Sequence, residues 1–451
     1  MFKRILIANR GEIAMRIIRC CRMLDIETVL VYSTADKDSL PVQFANIAVC
    51  IGNAKASESY LLEDRIIETA LAKGCDAIHP GFGFLSENAE FAKKCEKNSI
   101  VFIGPSSKVI SMMGNKDAAK KLMKKHKVPV VPGSEGLVSS YEEAIKVANK
   151  VGYPILIKAA AGGGGRGMRK AFNESEVKSA FEEAKAEALS CFANGDLYLE
   201  KLILNPHHIE VQILADSHGN VIYLGERDCS IQRRNQKLIE ESPSKKIDDE
   251  LRKKMGEAAV NAAKACKYTN AGTVEFVLDH EGNFYFIEMN TRIQVEHPVT
   301  EMVTGIDLIH EQLRIASGMK LSYKQEDVKI SGHAIECRIN AGSPGKIDFL
   351  HLPAGFGVRV DSALFTGCEI SPHYDPMIAK VIVRGTSRLD AIKRMRAALE
   401  EFLIDGVPTN KDLQYLVMYH PDFLKGSFDT SFMELHGKEL VEFNEESRKE
   451  L

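Results

Sequence analysis

Between residues 286 and 298 the chain reads Phe286-Ile287-Glu288-Met289-Asn290-Thr291-Arg292-Ile293-Gln294-Val295-Glu296-His297-Pro298, with polar side chains at alternate positions from Glu288 to Gln294. Alternate residues of a strand share a face, so this spacing projects Glu288, Asn290, Arg292 and Gln294 together. Carboxylate and amide oxygens suit a hard divalent cation, and a guanidinium grips a small oxyanion through paired hydrogen bonds. Such a row can form the wall of an active site. It follows directly on the apolar Phe284-Tyr285-Phe286-Ile287, which argues against an ordinary solvent-facing edge.

A second carboxylate stands at Glu275, in Gly272-Thr273-Val274-Glu275-Phe276, and Asp279-His280-Glu281-Gly282 separates that run from the one holding Glu288. The pattern predicts a hairpin with the two carboxylates near one another. Paired carboxylates beside phosphates make a magnesium site of the kind that serves ATP.

Phosphate contacts have candidates upstream. Tyr153-Pro154-Ile155-Leu156-Ile157-Lys158 is followed by Gly162-Gly163-Gly164-Gly165-Arg166-Gly167-Met168. A glycine run costs backbone entropy but lets main-chain N–H groups approach a phosphate closely, so it is a candidate lid, although the same composition also makes a plain flexible turn. It is not a Walker loop, and a kinase glycine loop would precede its lysine. Lys116 lies earlier, and Tyr198-Leu199-Glu200-Lys201 reads as a strand end able to meet an adenine through its backbone.

These residues need a scaffold. Strand-like runs at Ile5 to Ala8, Thr28 to Tyr32, Ala77 to His79 and Ile100 to Ile103 alternate with helical patterns from Glu12 and from Leu61 to Lys73, which predicts a parallel sheet flanked by helices. The loop Asn9-Arg10-Gly11-Glu12 and the turn His79-Pro80-Gly81-Phe82-Gly83-Phe84 fall at carboxyl ends of strands, where such sheets bind ligands. No Gly-x-Gly-x-x-Gly follows the first strand, so a dinucleotide fingerprint is absent. A second region opens at Gly114-Asn115-Lys116, and from Ser331 the chain turns strand-rich again at His333 to Ile339, Gly357 to Val360 and Ile378 to Val383, before a helix over Leu389 to Phe402.

The 451 residues exceed one ordinary core and imply two or three domains. With 45% hydrophobic residues, 27% charged and a net charge of −3, the composition is that of a soluble globular protein without a nucleic-acid footprint. No apolar run approaches the roughly 18 residues of a membrane span, and Met1 to Asn9 reads as a first strand rather than a signal peptide. A cytoplasmic location is expected. The 10 cysteines contain no Cys-x-x-Cys pair, which indicates neither a zinc site nor a disulfide frame, and Cys20 and Cys21 fit the apolar stripe of a helix.

Five separated motifs carry a resemblance: Ile7-Ala8-Asn9-Arg10-Gly11-Glu12-Ile13-Ala14, His79-Pro80-Gly81-x-Gly83-Phe84-Leu85-Ser86-Glu87-Asn88, Lys158 with the tetraglycine, Arg227-Asp228-Cys229-Ser230-Ile231-Gln232-Arg233-Arg234, and Glu288 to Glu301. In this order they resemble the biotin carboxylases of the ATP-grasp superfamily over essentially the whole chain. The resemblance implies an α/β and α+β protein of ATP-grasp fold. Its expected parts are an N-terminal parallel α/β (pre-ATP-grasp) domain over 1–113, an ATP-grasp domain over 114–330 with a mobile lid about 131–203, and a C-terminal mixed-sheet domain over 331–445.

The implied activity is ATP-dependent carboxylation of biotin with bicarbonate, through carboxyphosphate, with magnesium or manganese. Matched to the family's motifs, Lys116, Lys158 and His208 are ATP-phosphate contacts beneath a lid that includes Gly163, Gly164, Gly165 and Met168. Glu200, Lys201 and Ile203 fall at the adenine segment, and Gln232 and Asn235 complete the ATP set, Asn235 lying where the ribose hydroxyls sit. Glu275, Glu288 and Asn290 match the metal end, and Lys237, Arg292, Gln294, Val295 and Glu296 the bicarbonate pocket. Phe82 and Arg338 match the biotin side. In the implied chemistry Glu296 is the base for bicarbonate, Arg292 holds the anion, Lys237 meets the transferring phosphoryl group and Arg338 stabilises the enolate-like oxygen of biotin.

The chain departs from the family pattern in places. Phe82 stands where tyrosine is common, Asn235 where histidine is usual, Met23 where a charged residue often meets the dimer partner, and Asn340 to Gly345 is several residues short. With no Met-Lys-Met type motif in the sequence, biotin is expected on a separate carrier protein, with a carboxyltransferase subunit as further partner and a homodimer as the assembly. Acetyl-CoA, propionyl-CoA and pyruvate all remain open as final acceptors. Two other classes stay open as well: an ATP-grasp ligase making an amide or carbamoyl bond, and a non-catalytic nucleotide-binding subunit.

Overall fold

The computed structural model describes residues 1–160, 167–192 and 194–449. The glycines Gly162 to Gly165 of the expected lid lie outside the described residues.

The N-terminal sheet is parallel. Strands β1 (Arg4–Ile7), β2 (Glu27–Ser33), β3 (Ile47–Gly52), β4 (Ala77–His79) and β5 (Val101–Phe102) lie in the order β3-β2-β1-β4-β5. β1 is apolar on both faces because both are covered. Ile5 and Ile7 join a core with the helix Gly11–Met23, while Leu6 and Ala8 join Val29, Val31, Ile66 and Phe91 on the opposite side. Cys20 and Cys21 are core residues of that first helix. β3, a half-buried edge strand, is not among the expected runs. The loops after β1 and β4 are tied together where Asn9 Nδ2 donates to the carbonyls of Pro80 and Phe82, each at 2.7 Å.

Two antiparallel sheets follow. The smaller has β6 (Ile155–Ala159) between β7 (Met168–Ala171) and β8 (Leu197–Lys201), with the helices Tyr141–Val151 and Glu174–Phe192 packed on it. The larger holds eight strands: β9 (His207–Ala215), β10 (Val221–Arg233), β11 (Gln236–Ser242), β12 (Asn270–Leu278), β13 (Phe284–Asn290) and β14 (His333–Asn340), then Met377–Gly385 and Val358–Ser362. Its order is β13-β12-β9-β10-β11-β14, followed by Met377–Gly385 and Val358–Ser362. The C-terminal strands were expected in a mixed sheet, and every pair they form in this large sheet is antiparallel.

Apolar residues at alternate positions line one face of the large sheet. Ile209, Val211, Ile213, Val274 and Phe276 pack on the helix Asp249–Cys266, while Ile335, Cys337, Ile339, Val381 and Val383 pack on the helix Arg388–Glu401. The sheet therefore runs unbroken across position 330 through the β11–β14 pairing. One extra residue interrupts the β9–β10 register between Tyr223 and Glu226, where Gly225 has φ +80°, a conformation that glycine adopts without steric cost.

Candidate active site

β12 and β13 form the expected hairpin, with Glu275 opposite Glu288 and Thr273 opposite Asn290. The strand does not continue to Gln294 as the alternation suggests. It ends at Asn290, because Pro298 starts a helix, His297–Thr304, and the chain must leave the edge of the sheet to enter it. The loop still folds its polar residues back on the hairpin. Asn290 Nδ2 and Gln294 Nε2 donate to Glu275 Oε1 at 2.8 and 2.9 Å, and Arg292 donates to Asn290 Oδ1 at 3.0 Å. Arg292 also reaches Glu87 of the His79 to Asn88 turn at 3.0 Å, so the N-terminal sheet holds this loop in place.

The polar face of the large sheet meets at Lys237. Its ammonium group lies 2.6 Å from Glu210 on β9, 2.9 Å from Glu275 on β12 and 2.7 Å from Glu296, the residue before the helix His297–Thr304. Burial alone would lower the Lys237 pKa, and the three carboxylates outweigh it and hold it well above the ordinary lysine value. Glu296 also takes a hydrogen bond from Arg338 on β14 at 2.9 Å, and Glu240 on β11 accepts from Arg338 Nε at 2.6 Å.

Burial pushes the Glu296 carboxyl up, but Lys237, Arg338 and Arg227 pull it well below the usual carboxylate range. The Glu275 carboxyl is likewise held well below that range, burial being overcome by Lys237 and His208. Beneath the cluster Arg227 is fully buried on β10, bonded to Glu210 and, at 2.8 to 3.1 Å, to Gln212, Thr300, Thr273 and Gln294. Such a network fixes the carboxylates it serves.

The remaining residues singled out in the sequence divide into two groups. Lys116 begins the helix Lys116–Lys125 and lies 3.3 Å from Glu288. Lys158 on β6 and Lys120 both bind the Glu200 carboxylate on β8, and Met168 on β7 is the cross-strand partner of Lys158. His208 Nε2 is 2.9 Å from Glu275 Oε2 and its Nδ1 is 3.0 Å from Gln232 Nε2, which joins these two to the hairpin. The Lys201 amide donates to the Pro132 carbonyl at 2.7 Å, and Ile203 is half-buried just beyond β8.

Asn235, Phe82 and Val295 sit apart from the charged cluster. Arg234 and Asn235, with φ +53° and +62°, form the exposed two-residue turn between β10 and β11. Phe82 packs its ring against the core of the first helix. The Val295 carbonyl accepts from buried Lys380 at 2.7 Å.

Sequence reasoning named neither Glu210 nor Glu240, and quoted Glu87 and Arg227 within motifs without giving them a role. The signal for Glu210 is present, because His208, Glu210 and Gln212 alternate with Ile209, Val211 and Ile213 as Glu288 and its neighbours do. The donor set Glu275, Glu288 and Asn290 is all oxygen and fits a hard divalent cation. Lys237 at Glu275 and Lys116 at Glu288 occupy these carboxylates with positive charge.

Residues 115–324 match the family model described as "Carbamoyl-phosphate synthase L chain, ATP binding domain". The hairpin and the sheets around it thus belong to the class of ATP-grasp ATP-binding domains. Residues 1–110 match "Biotin carboxylase, N-terminal domain" and residues 336–435 match "Biotin carboxylase C-terminal domain". The chain belongs to the biotin carboxylase family.

It is 56% identical to Biotin carboxylase 1 of Bacillus subtilis (strain 168), covering 97% of this chain and 99% of that protein. It is 52% identical to the biotin carboxylase of Haemophilus influenzae, covering 96% and 98%. A crystal structure of the biotin carboxylase domain dimer of Hydrogenobacter thermophilus 2-oxoglutarate carboxylase, in complex with MgADP, ADP and bicarbonate, is 50% identical. It superposes with a TM-score of 0.91 over 98% of this chain and 99% of that one. No helix among the described residues is long and apolar enough to cross a membrane.

Proposed function

We infer that this chain carboxylates biotin with ATP and bicarbonate. The observation that carries the reading is the unbroken row Glu275–Lys237–Glu296–Arg338, in which carboxylate, ammonium, carboxylate and guanidinium follow one another at 2.7 to 2.9 Å.

Bicarbonate is a poor electrophile, so a bicarbonate oxygen attacks the γ-phosphorus, ADP leaves, and carboxyphosphate forms. Lys116, Lys158 and His208 bind the phosphates, and Lys237 follows the charge that moves with the phosphoryl group. Glu275, Glu288 and Asn290 would hold a magnesium ion, which neutralises phosphate charge when bound. Arg292 and Gln294 orient bicarbonate, with Val295 beside them, and Glu296 takes its proton. A carboxylate pinned by Lys237 and Arg338 is a weak base, and arriving anions supply the remedy: they draw both cations toward themselves and leave Glu296 more basic.

Carboxyphosphate then breaks to carbon dioxide and phosphate. The phosphate accepts the ureido proton, and the ureido nitrogen attacks carbon dioxide while Arg338 balances the charge on the ureido oxygen.

The proposed organisation is 1–113, 114–330 with its lid, and 331–445. Glu200, Lys201 and Ile203 bound the adenine pocket, Gln232 and Asn235 serve the ribose side, and Phe82 faces biotin from the N-terminal sheet. Biotin arrives on a carrier protein, a carboxyltransferase subunit uses the product, and the chain acts as a homodimer in the cytoplasm. ADP release from MgATP should be faster with bicarbonate and free biotin than with bicarbonate alone. Equal rates would favour a plain ATPase or another ligase.

A further inference from the structure

Glu240 and Glu336 are cross-strand partners on β11 and β14, and both are fully buried. Opposed residues of an antiparallel pair point to one face, so the two carboxyl groups are neighbours in the interior. Glu240 Oε1 is taken by Arg338 Nε, while Glu240 Oε2 and both Glu336 oxygens have no hydrogen-bond partner among the described residues.

The cations around the pair are already engaged. Arg338 binds Glu240 and Glu296, and Lys380 binds Glu12 at 3.1 Å and the Val295 carbonyl. Glu296 adds a further negative charge from the turn above. His297, on the helix packed against β14, is held neutral by burial and by Lys380. Arg338 is shared with Glu296 and Lys380 with Glu12, so the two buried carboxylates side by side have too little positive charge for both to be ionised.

We propose that Glu240 and Glu336 hold one proton between them, kept on Glu336, so that Glu240 carries the single charge that fixes the Arg338 guanidinium against Glu296. Burial raises both carboxyl groups. At Glu336 it is offset in part by Lys380 and Arg338, whereas at Glu240 Arg338 offsets more of it through a direct hydrogen bond, so Glu336 is raised further. Glu240 is thus a positioning residue, acting through Arg338. Glu336 sets the charge of the pair, since a further negative charge there, added to Glu240 and Glu296, would weaken the pull of Arg338 on an anionic oxygen. The functional half of this proposal rests on the biotin carboxylase reading, whereas its proton half does not.

Infrared difference spectra of the full chain at pH 7 read the carbonyl stretch of protonated buried carboxyl groups without any turnover. Glu336→Gln should remove one such band. Identical spectra for the wild type and Glu336→Gln would overturn the proposal. In turnover, Glu240→Gln should cost at least ten times more carboxybiotin formation than Glu336→Gln, with a raised KM for free biotin and bicarbonate-dependent ATP cleavage retained. An equal or larger loss in Glu336→Gln would also overturn it. A wild type lacking biotin-dependent ADP release would count against the activity alone and leave the infrared result standing.

Discussion

Replacing Glu296 by glutamine removes one negative charge from between two buried cations. Glu296 accepts from Lys237 at 2.7 Å and from Arg338 at 2.9 Å, one bond at each oxygen. The glutamine carbonyl can keep one of these, and its NH2 group must face the other cation. Losing one charge-assisted hydrogen bond costs about 1.5–3 kcal/mol. The lower part of that range applies, because Lys237 keeps Glu210 and Glu275, and Arg338 keeps Glu240. A folded variant, slightly easier to unfold in urea, is therefore expected.

Catalysis should suffer more. Loss of a positioned base lowers turnover by roughly 10²- to 10⁴-fold, or about 3–5 kcal/mol of barrier. Carboxybiotin formation from labelled bicarbonate and free biotin measures this, with MgATP affinity as the control. Affinity should hold because Lys116, Lys158, Glu275 and Glu288 are untouched. A correctly folded Glu296→Gln that keeps more than a tenth of wild-type carboxylation would refute the assignment of Glu296 as base.

Three further outcomes follow from the same geometry. Arg338→Gln should depress carboxybiotin formation while sparing slow bicarbonate-dependent ATP cleavage, and loss of ATP binding in this variant would mean that the nucleotide end and the biotin end have been misplaced. Glu288→Gln should raise the magnesium concentration needed for half-maximal turnover about tenfold or more, read by titrating magnesium at fixed ATP, since it leaves Glu275 with one neutral neighbour in place of a charged one. The Glu275 and Glu296 carboxyl groups are lower in the folded chain than the usual value of about 4.3, so the stability they add is present above that pH and is lost as pH falls through their folded values. Urea midpoints should thus hold from pH 7 to about 5 and fall below it, with a shallower fall in Glu296→Gln.

The hairpin carrying Glu275 and Glu288 was legible because its turn residues separate two apolar runs, a local signal. The row from Glu288 to Gln294 was legible in composition but not in backbone, since alternation does not reveal where a strand gives way to a loop that folds back on it. The roles of Arg227 and Glu240 were harder to read. Arg227 stood in a motif without a role, each lies in a run of charged residues, Glu226-Arg227-Asp228 and Glu240-Glu241, and only the pairing of distant strands buries them. The parallel N-terminal sheet followed from the alternation of strands and helices, except for β3, whose edge position leaves it without a strong apolar pattern.

The extra residue in β10 bears on the shape of the site. β11 and β12 are three strand spacings apart in the large sheet, which in a flat sheet is about 14 Å. Strand side chains stand roughly perpendicular to a flat sheet and could not reach along it that far, yet Lys237 and Glu275 meet at 2.9 Å. The sheet must therefore be cupped around them, and the bulge at Leu224 and Gly225 is a device that adds such curvature. A side chain at Gly225 would strain the backbone at its positive φ and push the Ile330 terminal methyl aside. The curvature that brings Lys237 within reach is thus shaped in part at a position that bears no charge, together with the further register shifts of β10 against β11.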